Sequence, residues 1–353
     1  MTSQAVKFHS QPSREPAAGF SLIELMVAVT LGLLLILAMA TLLAQQNRAR
    51  SELEKSSAQV ENGRYALGIL QSDIQLAGFY GEFAGSIAAP GTLPNACETA
   101  NMTNINASLA LPLQGYNDVG STIPSTLSGC LSAANHVEGT DVLVVRRLQA
   151  ADPASLSTIA SAAASNPKRV YVQANPDGRV TDLGENSASF TLFKKDGVTP
   201  ADLRAYVERI YFVSPCNVFA SGQSSCTANA DGGTPIPTLK RLELSVASGV
   251  AAFVLTPLVE GVENMQIDYG VDTEGAGGPA SPFIEAPTLA QWPSVVAVNI
   301  SLLVRNPTET VGHADSKSYN LGVMGAVGPF GDGFKRHVYS SGVRVINVSG
   351  RKE

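Results

Sequence analysis

The chain has 353 residues and a net charge of −6, and charged residues make up 15% of it, below the ~25% typical of soluble domains. Glycine is abundant (32 residues) and aromatic residues are sparse (6%), a composition that suits a loop-rich, β-rich exported protein. Its Lys and Arg residues are scattered, so the chain lacks the basic stripe that neutralises a phosphate backbone, which argues against nucleic acid as a partner.

A polar leader, residues 1–19, precedes an uncharged apolar stretch at residues 25–44. At about 1.5 Å per residue, a helix over this stretch crosses the ~30 Å hydrocarbon core of a bilayer. A secretory signal peptide has a shorter apolar region, about 7–15 residues, which ends at a small-residue cleavage site. Here the apolar stretch continues directly into polar sequence. We therefore expect residues 20–44 to be the membrane-spanning half of one N-terminal helix.

Glu24 lies just inside the apolar region, where a carboxylate costs up to ~2.5–3.5 kcal/mol at a helix centre and less near its end. We expect no partner for this carboxylate in the intact span. If the chain is cut after Gly19, Phe20 carries a new amine four residues before Glu24, about 6 Å along a helix. That amine can pair with Glu24 of its own chain or of an adjacent subunit, which would favour one axial register between packed helices.

Residues 19–25, GFSLIEL, resemble the class III signal of type IV pilins and pseudopilins. The resemblance implies that prepilin peptidase cleaves the chain between Gly19 and Phe20 on the cytoplasmic face, and that Phe20 is then N-methylated. It also implies that the leader faces the cytoplasm and the rest of the chain lies outside. Many major pilins carry a proline late in the span, whereas none occurs here in residues 22–81, so we expect no kink.

Residues 45–80 are predicted to be the periplasmic, amphipathic half of the same helix. Apolar residues recur every seven positions at Leu53, Val60, Leu67 and Ile74, and the offset positions Ser56, Gly63, Leu70 and Ala77 are mostly small or apolar. This pattern predicts one stripe that packs on a globular domain.

A second resemblance concerns residues 61–81, ENGRYALGILQSDIQLAGFYG, which are similar to the segment after the membrane helix in the minor pilin family PilW. Residues 258–272, the pair Trp292-Pro293 and residues 295–305 also resemble the C-terminal half of these minor pilins and of the J-type pseudopilins of type II secretion. The J-type proteins generally lack the sequence found here at residues 61–81. The resemblance therefore favours the pilus over the secretion system.

Residues 81–139 are rich in Gly, Ser, Asn, Thr and Pro, and we interpret them as a loop-rich variable region. Four cysteines, Cys97, Cys130, Cys216 and Cys226, all follow the span, which fits disulfides in an oxidising compartment. Of the three possible pairings we favour Cys97 with Cys130 and Cys216 with Cys226, because each pair is nearest in sequence. Buried free thiols remain an alternative. The cysteines lack C-x-x-C spacing and the histidines are far apart, so we expect no metal site.

Residues 140–353 are predicted to form a β-rich globular domain. Strand-like runs rich in Val, Ile, Tyr and Phe occupy residues 140–148, 168–173, 187–193, 206–213, 239–246, 251–258, 264–269, 295–305 and 335–348. Turn signals such as Asn-Pro-Asp-Gly at residues 175–178 separate them. Helical stretches between these runs are few. The expected fold class is therefore α+β and pilin-like, with one long N-terminal helix packed on a mainly antiparallel β-sheet.

No catalytic motif was found: the sequence has no G-x-S-x-G elbow, no H-E-x-x-H pair and no phosphate-binding loop with its lysine. The glycine-rich residues 322–333 lack the lysine and the helix start of such a loop, and we interpret them as a surface loop. Asp272, Thr273 and Glu274 do not have the spacing of an EF-hand calcium loop. We therefore expect no catalytic residue, no metal and no cofactor.

The leading hypothesis is a non-enzymatic minor pilin that helps to initiate type IV pilus assembly in a priming or tip complex and supports twitching motility and adhesion. Its implied partners are prepilin peptidase, other minor pilins, the major pilin, the inner-membrane assembly platform and a tip adhesin. Its implied location is the bacterial inner membrane, with a cytoplasmic N-terminus and a periplasmic globular domain, and the pilus or its tip. Two alternatives remain: a J-type pseudopilin, and an anchored binding module in which residues 82–139 contact an adhesin or a surface.

Overall fold

The computed structural model describes residues 19–151, 168–275, 278 and 282–351. It divides the chain into two compact units, the first ending at Glu54 and the second beginning at Lys55. The described part of the first unit is helical almost throughout. The second unit contains the β-sheets. The predicted α+β class, with one long N-terminal helix and mainly antiparallel sheets, is confirmed.

Three α-helices are described: α1 (Leu22–Leu76), α2 (Met102–Ser108) and α3 (Ile346–Ser349). The long α1 has 55 residues, contains no proline and is rich in the strong helix formers Leu and Ala. It ends before Gly78, whose φ of 73° lies in the left-handed region that glycine adopts without a Cβ penalty. Among the described residues, α1 is the one helix long and apolar enough to cross a membrane.

The face that α1 buries in the second unit contains most of the predicted stripe but does not begin at Leu53. Leu53 is 72% exposed and Val60 is 38% exposed, whereas Ile74 and the offset positions Gly63 and Leu70 are buried. The buried positions of α1 are Gln59, Gly63, Ala66, Leu70, Asp73 and Ile74. The polar side chains of Gln59 and Asp73 therefore belong to the packed face, although a hydropathy pattern would place them on the solvent side.

Twelve strands are described. They are β1 (Leu113–Val119), β2 (Thr140–Leu148), β3 (Val170–Ala174), β4 (Arg179–Leu183), β5 (Leu203–Ser214), β6 (Thr238–Ala247), β7 (Val250–Glu260), β8 (Val262–Val271), β9 (Val295–Arg305), β10 (Tyr319–Asn320), β11 (Ala326–Val327) and β12 (Arg336–Arg344). A seven-stranded sheet has the order β1-β2-β5-β3-β4, with β6 also paired to β5 and β7 paired to β6. A three-stranded sheet has the order β12-β9-β8, and β10 pairs with β11. Every pairing is antiparallel.

Several predicted elements differ from the structure. Residues 187–193 are not a strand: Ser187–Ser189 form a 3-10 helix and Phe193 makes only an isolated bridge to Pro200. The predicted strand at residues 335–348 ends at Arg344 and is followed by α3. Residues 82–139 are not loops throughout, because α2 and β1 lie there. The start of α2 is set by Asn101, whose side chain accepts hydrogen bonds from two backbone N–H groups of the first turn.

The main hydrophobic core joins α1 to strands of both larger sheets. Tyr269 on β8 packs edge-on against Trp292, with ring centroids 4.8 Å apart. Gly115 on β1 lies directly beneath this pair, because a Cβ at this position would come 1.9 Å from the Tyr269 hydroxyl oxygen. A glycine that weakens the strand signal of β1 in the sequence is thus required by the core.

Two disulfides cross-link the second unit, Cys97 with Cys130 and Cys216 with Cys226, and the described residues contain no free cysteine. This is the pairing that the sequence favours. The turn predicted at residues 175–178 joins β3 to β4, and the Asn175 side chain accepts hydrogen bonds from the N–H groups of Asp177 and Gly178.

Candidate processing and assembly site

The candidate site is the start of α1, where Gly19, Phe20 and Glu24 were singled out in the sequence. The first backbone hydrogen bond of the helix runs from the Leu25 N–H to the Ser21 carbonyl oxygen, 3.1 Å away. Ser21 is therefore the N-cap residue, half inside the helix. Gly19 and Phe20 lie before the cap and are not helical.

Ser21 and Glu24 satisfy each other's backbone donors. The Glu24 N–H donates to the Ser21 hydroxyl oxygen at 3.2 Å, and the Ser21 N–H donates to the Glu24 carboxylate at 2.9 Å. This reciprocal arrangement is a capping box, for which the sequence signal is Ser-x-x-Glu. The expectation that Glu24 has no partner in the intact span was therefore wrong. The sequence signal for it is the local pattern Ser21-Leu-Ile-Glu24.

Both residues that flank the expected cleavage point are open to their surroundings. Phe20 is 88% exposed. A Cβ built on Gly19 would meet no atom of the described residues within 4 Å, and the φ of Gly19 lies outside the left-handed region. Neither packing within the described chain nor backbone geometry therefore requires glycine at this position.

The rest of the first unit offers an apolar surface without charged groups up to Arg48. The large apolar side chains from Leu22 to Leu43 are each at least half exposed. The hydroxyl groups of Thr30 and Thr41 donate to carbonyl oxygens of their own helix, at 2.9 Å and 2.8 Å. Such a surface is stable when lipid or neighbouring helices cover it.

In the second unit, Asp73 connects α1 to the seven-stranded sheet. Its buried carboxylate accepts hydrogen bonds from Arg147 on β2 at 2.8 Å and from Arg209 on β5 at 3.0 Å. The Tyr211 hydroxyl donates to the other carboxylate oxygen at 2.8 Å. Burial and the nearby Asp73 carboxylate raise the pKa of Tyr211 above its usual value, so the phenol keeps the proton that it donates. No sequence pattern predicts this cluster, because its partners come from distant segments.

The residues considered for calcium have a different role. The Asp272 carboxylate accepts hydrogen bonds from the N–H groups of Glu274 and Gly275, at 3.1 Å and 2.7 Å, and so closes a turn. Within the described ranges, no group of three or more His, Cys, Asp or Glu side chains could hold a metal ion.

Two family models match the chain. The model of the prokaryotic N-terminal methylation motif matches residues 16–40, which include the capping box and the residues on both sides of the expected cleavage point. The model described as type IV pilus-assembly protein W, PilW, matches residues 225–347, from the second disulfide into α3. No curated protein and no solved structure matches the chain.

Proposed function

We propose that this chain, whose two family matches support a PilW-type minor pilin of the type IV pilus, helps to initiate pilus assembly as part of a complex of minor pilins. The matches support a structural, non-enzymatic role. The apolar half of α1 and the prepilin motif indicate membrane anchoring and association with the pilus. In this proposal the leader lies in the cytoplasm and the second unit in the periplasm, and the chain contributes to twitching motility and adhesion.

The observation that carries this proposal is the start of α1. An exposed apolar helix surface begins with one carboxylate, Glu24, on its first turn, and Phe20 lies just outside the helix. Prepilin peptidase would cut between Gly19 and Phe20, and the new Phe20 amine would then carry a positive charge beside a helix end that holds a negative one.

Glu24 has two successive partners in this mechanism. Before cleavage its carboxylate is held by the Ser21 N–H, which lowers the cost of placing it in lipid. After cleavage the amine of a neighbouring subunit can replace or join that bond. Opposite charges 4 Å apart attract by about 4 kcal/mol at an effective dielectric constant of about 20, before the cost of desolvation. This attraction favours one axial register between packed helices of the minor pilins and the major pilin.

The test compares two substitutions at Glu24 in a strain that lacks its own copy of the gene. Glu24→Gln keeps a capping-box acceptor but removes the charge, whereas Glu24→Ala removes both. We expect both variants to lose surface pili and twitching motility, because both lose the ion pair. Glu61→Gln, an exposed position on the second half of α1, is the matched control and should behave as the wild type.

Three results would count against the proposal. Normal piliation of the Glu24→Gln strain would contradict the role of the charge. Mass spectrometry that finds the mature chain starting at a residue other than methylated Phe20 would contradict the processing. Intact pili with loss of exoprotein export on deletion of the gene would indicate a J-type pseudopilin instead.

A further inference from the structure

We infer that Ser21 is a positioning residue for leader removal: its side chain caps α1 and so keeps the peptide bond between Gly19 and Phe20 outside the helix, open to the peptidase. This inference rests on the proposed cleavage after Gly19. It assigns to the Ser21–Glu24 capping box a function before cleavage, whereas the proposed pairing of Glu24 acts after it.

Two features of the geometry place the scissile bond outside the helix. The Ser21 carbonyl accepts the first helical hydrogen bond, and the Ser21 hydroxyl accepts the N–H of Glu24. The N–H groups of the first turn otherwise have no partner within a helix. With the Glu24 N–H satisfied by a side chain, the helix does not need the carbonyl groups of Phe20 or Gly19 as acceptors.

Removal of the hydroxyl changes this balance. The Glu24 N–H then lies in apolar surroundings, where an unsatisfied backbone donor is costly. The nearest replacement in helical geometry is the Phe20 carbonyl, four residues earlier. One further step backward pairs the Ile23 N–H with the carbonyl of Gly19, which belongs to the scissile bond itself.

The sequence before the cap favours such a backward extension. Alanine at positions 17 and 18 is the strongest helix former, and proline, present at Pro16, is well tolerated at the first helical position. Gly19 opposes the extension, because glycine is a poor helix former. Gly19 and Ser21 thus stand on either side of Phe20, and each disfavours helix across the bond that must be cut.

A scissile bond within a helix is cut more slowly, because the helix must unfold locally before the peptidase can bind that bond. When opening and closing are fast relative to cleavage, the rate follows the population of the open form. Loss of a serine N-cap shifts the equilibrium between the open and the helical form by about fivefold, the equivalent of about 1 kcal/mol. We therefore expect Ser21→Ala to be cleaved more slowly than the wild type, by up to about fivefold.

The experiment is a pulse–chase of the full chain co-expressed with prepilin peptidase, with loss of residues 1–19 followed by gel mobility and mass spectrometry. Thr30→Ala is the matched control, since it also removes one hydroxyl from α1, but that hydroxyl bonds the Val27 carbonyl and caps nothing. Ser21→Thr should restore cleavage, because threonine also caps helices. A merely apolar or bulk effect at position 21 would not be rescued in this way.

The outcomes separate the two proposals. If the wild type is not cut between Gly19 and Phe20, the processing part of the proposed function fails, and this inference fails with it. If the wild type is cut and Ser21→Ala is cut as fast as Thr30→Ala, only the capping role is overturned. A variant that inserts poorly into the membrane would also be cut slowly in cells. The same comparison is therefore repeated with purified full-length chains in detergent and added peptidase, where the cleavage rate does not depend on membrane insertion.

Discussion

Replacement of Asp73 by alanine should destabilise the second unit strongly, although the residue is polar and lies on a helix. The change leaves the guanidinium groups of Arg147 and Arg209 and the hydroxyl of Tyr211 without their shared acceptor. Asp73 is 3% exposed, and the side chains of Arg147 and Arg209 are 10% and 20% exposed, so water compensates little. Removal of one partner from a buried ion pair costs about 3–5 kcal/mol.

The assay is thermal unfolding of the full-length chain in detergent, followed by the near-ultraviolet circular dichroism of the buried Trp292. At about 2 °C per kcal/mol, the slope for domains of roughly 150–250 residues, Asp73→Ala should lower Tm by about 6–10 °C. Asp73→Asn should lower it less, because the amide oxygen still accepts from the arginines and the Tyr211 hydroxyl can turn to accept from the amide nitrogen.

Glu61→Ala provides the matched control, since it removes an exposed carboxylate from the same helix and should change stability by no more than about 0.5 kcal/mol. An Asp73→Ala chain that melts within 2 °C of the Glu61→Ala chain would refute the reasoning, since it would mean that Asp73 is not the acceptor that holds the two arginines.

Three further predictions concern packing, pH and the first disulfide. Gly115→Ala should cost about 1–3 kcal/mol by overpacking against Tyr269, measured by the same melt, and an unchanged Tm would contradict that contact. Burial raises the pKa of Asp141 to about 7, so its contribution to stability is fully present below pH ~4 and is lost as pH rises through 7. The free energy of unfolding of Asp141→Asn should therefore rise relative to that of the wild type between pH 4.5 and 7.5, by about 3 kcal/mol, and a constant difference would rule this out. Replacement of Cys97 and Cys130 by serine opens a loop with a sequence separation of 33 and should cost about 4 kcal/mol, whereas an unaltered melt would show that other contacts already order the loop.

The parts of the fold that the sequence predicted well depend on local chemistry. Residues 140–148 and 295–305 were predicted as strands with the bounds of β2 and β9, because long β-branched, apolar runs suit strands buried in a core. The absence of proline after the cap is consistent with one uninterrupted α1 from Leu22 to Leu76. The pattern Ser-x-x-Glu is equally local and indicates the cap, whereas the charge of Glu24 taken alone indicates only the need for an opposite charge.

By itself, the sequence determined the long apolar N-terminal helix and, through the Ser21-x-x-Glu24 pattern, its capped start, because each depends on residues within a few positions of one another. Only the tertiary structure decided that Gln59 and Asp73 belong to the packed face of α1, and that Gly115 belongs in a strand. Asp73 receives Arg147 from β2 and Arg209 from β5, 74 and 136 positions further along the chain. Hydropathy scores each residue alone, whereas burial of a charge becomes favourable when distant segments bring its partners to it.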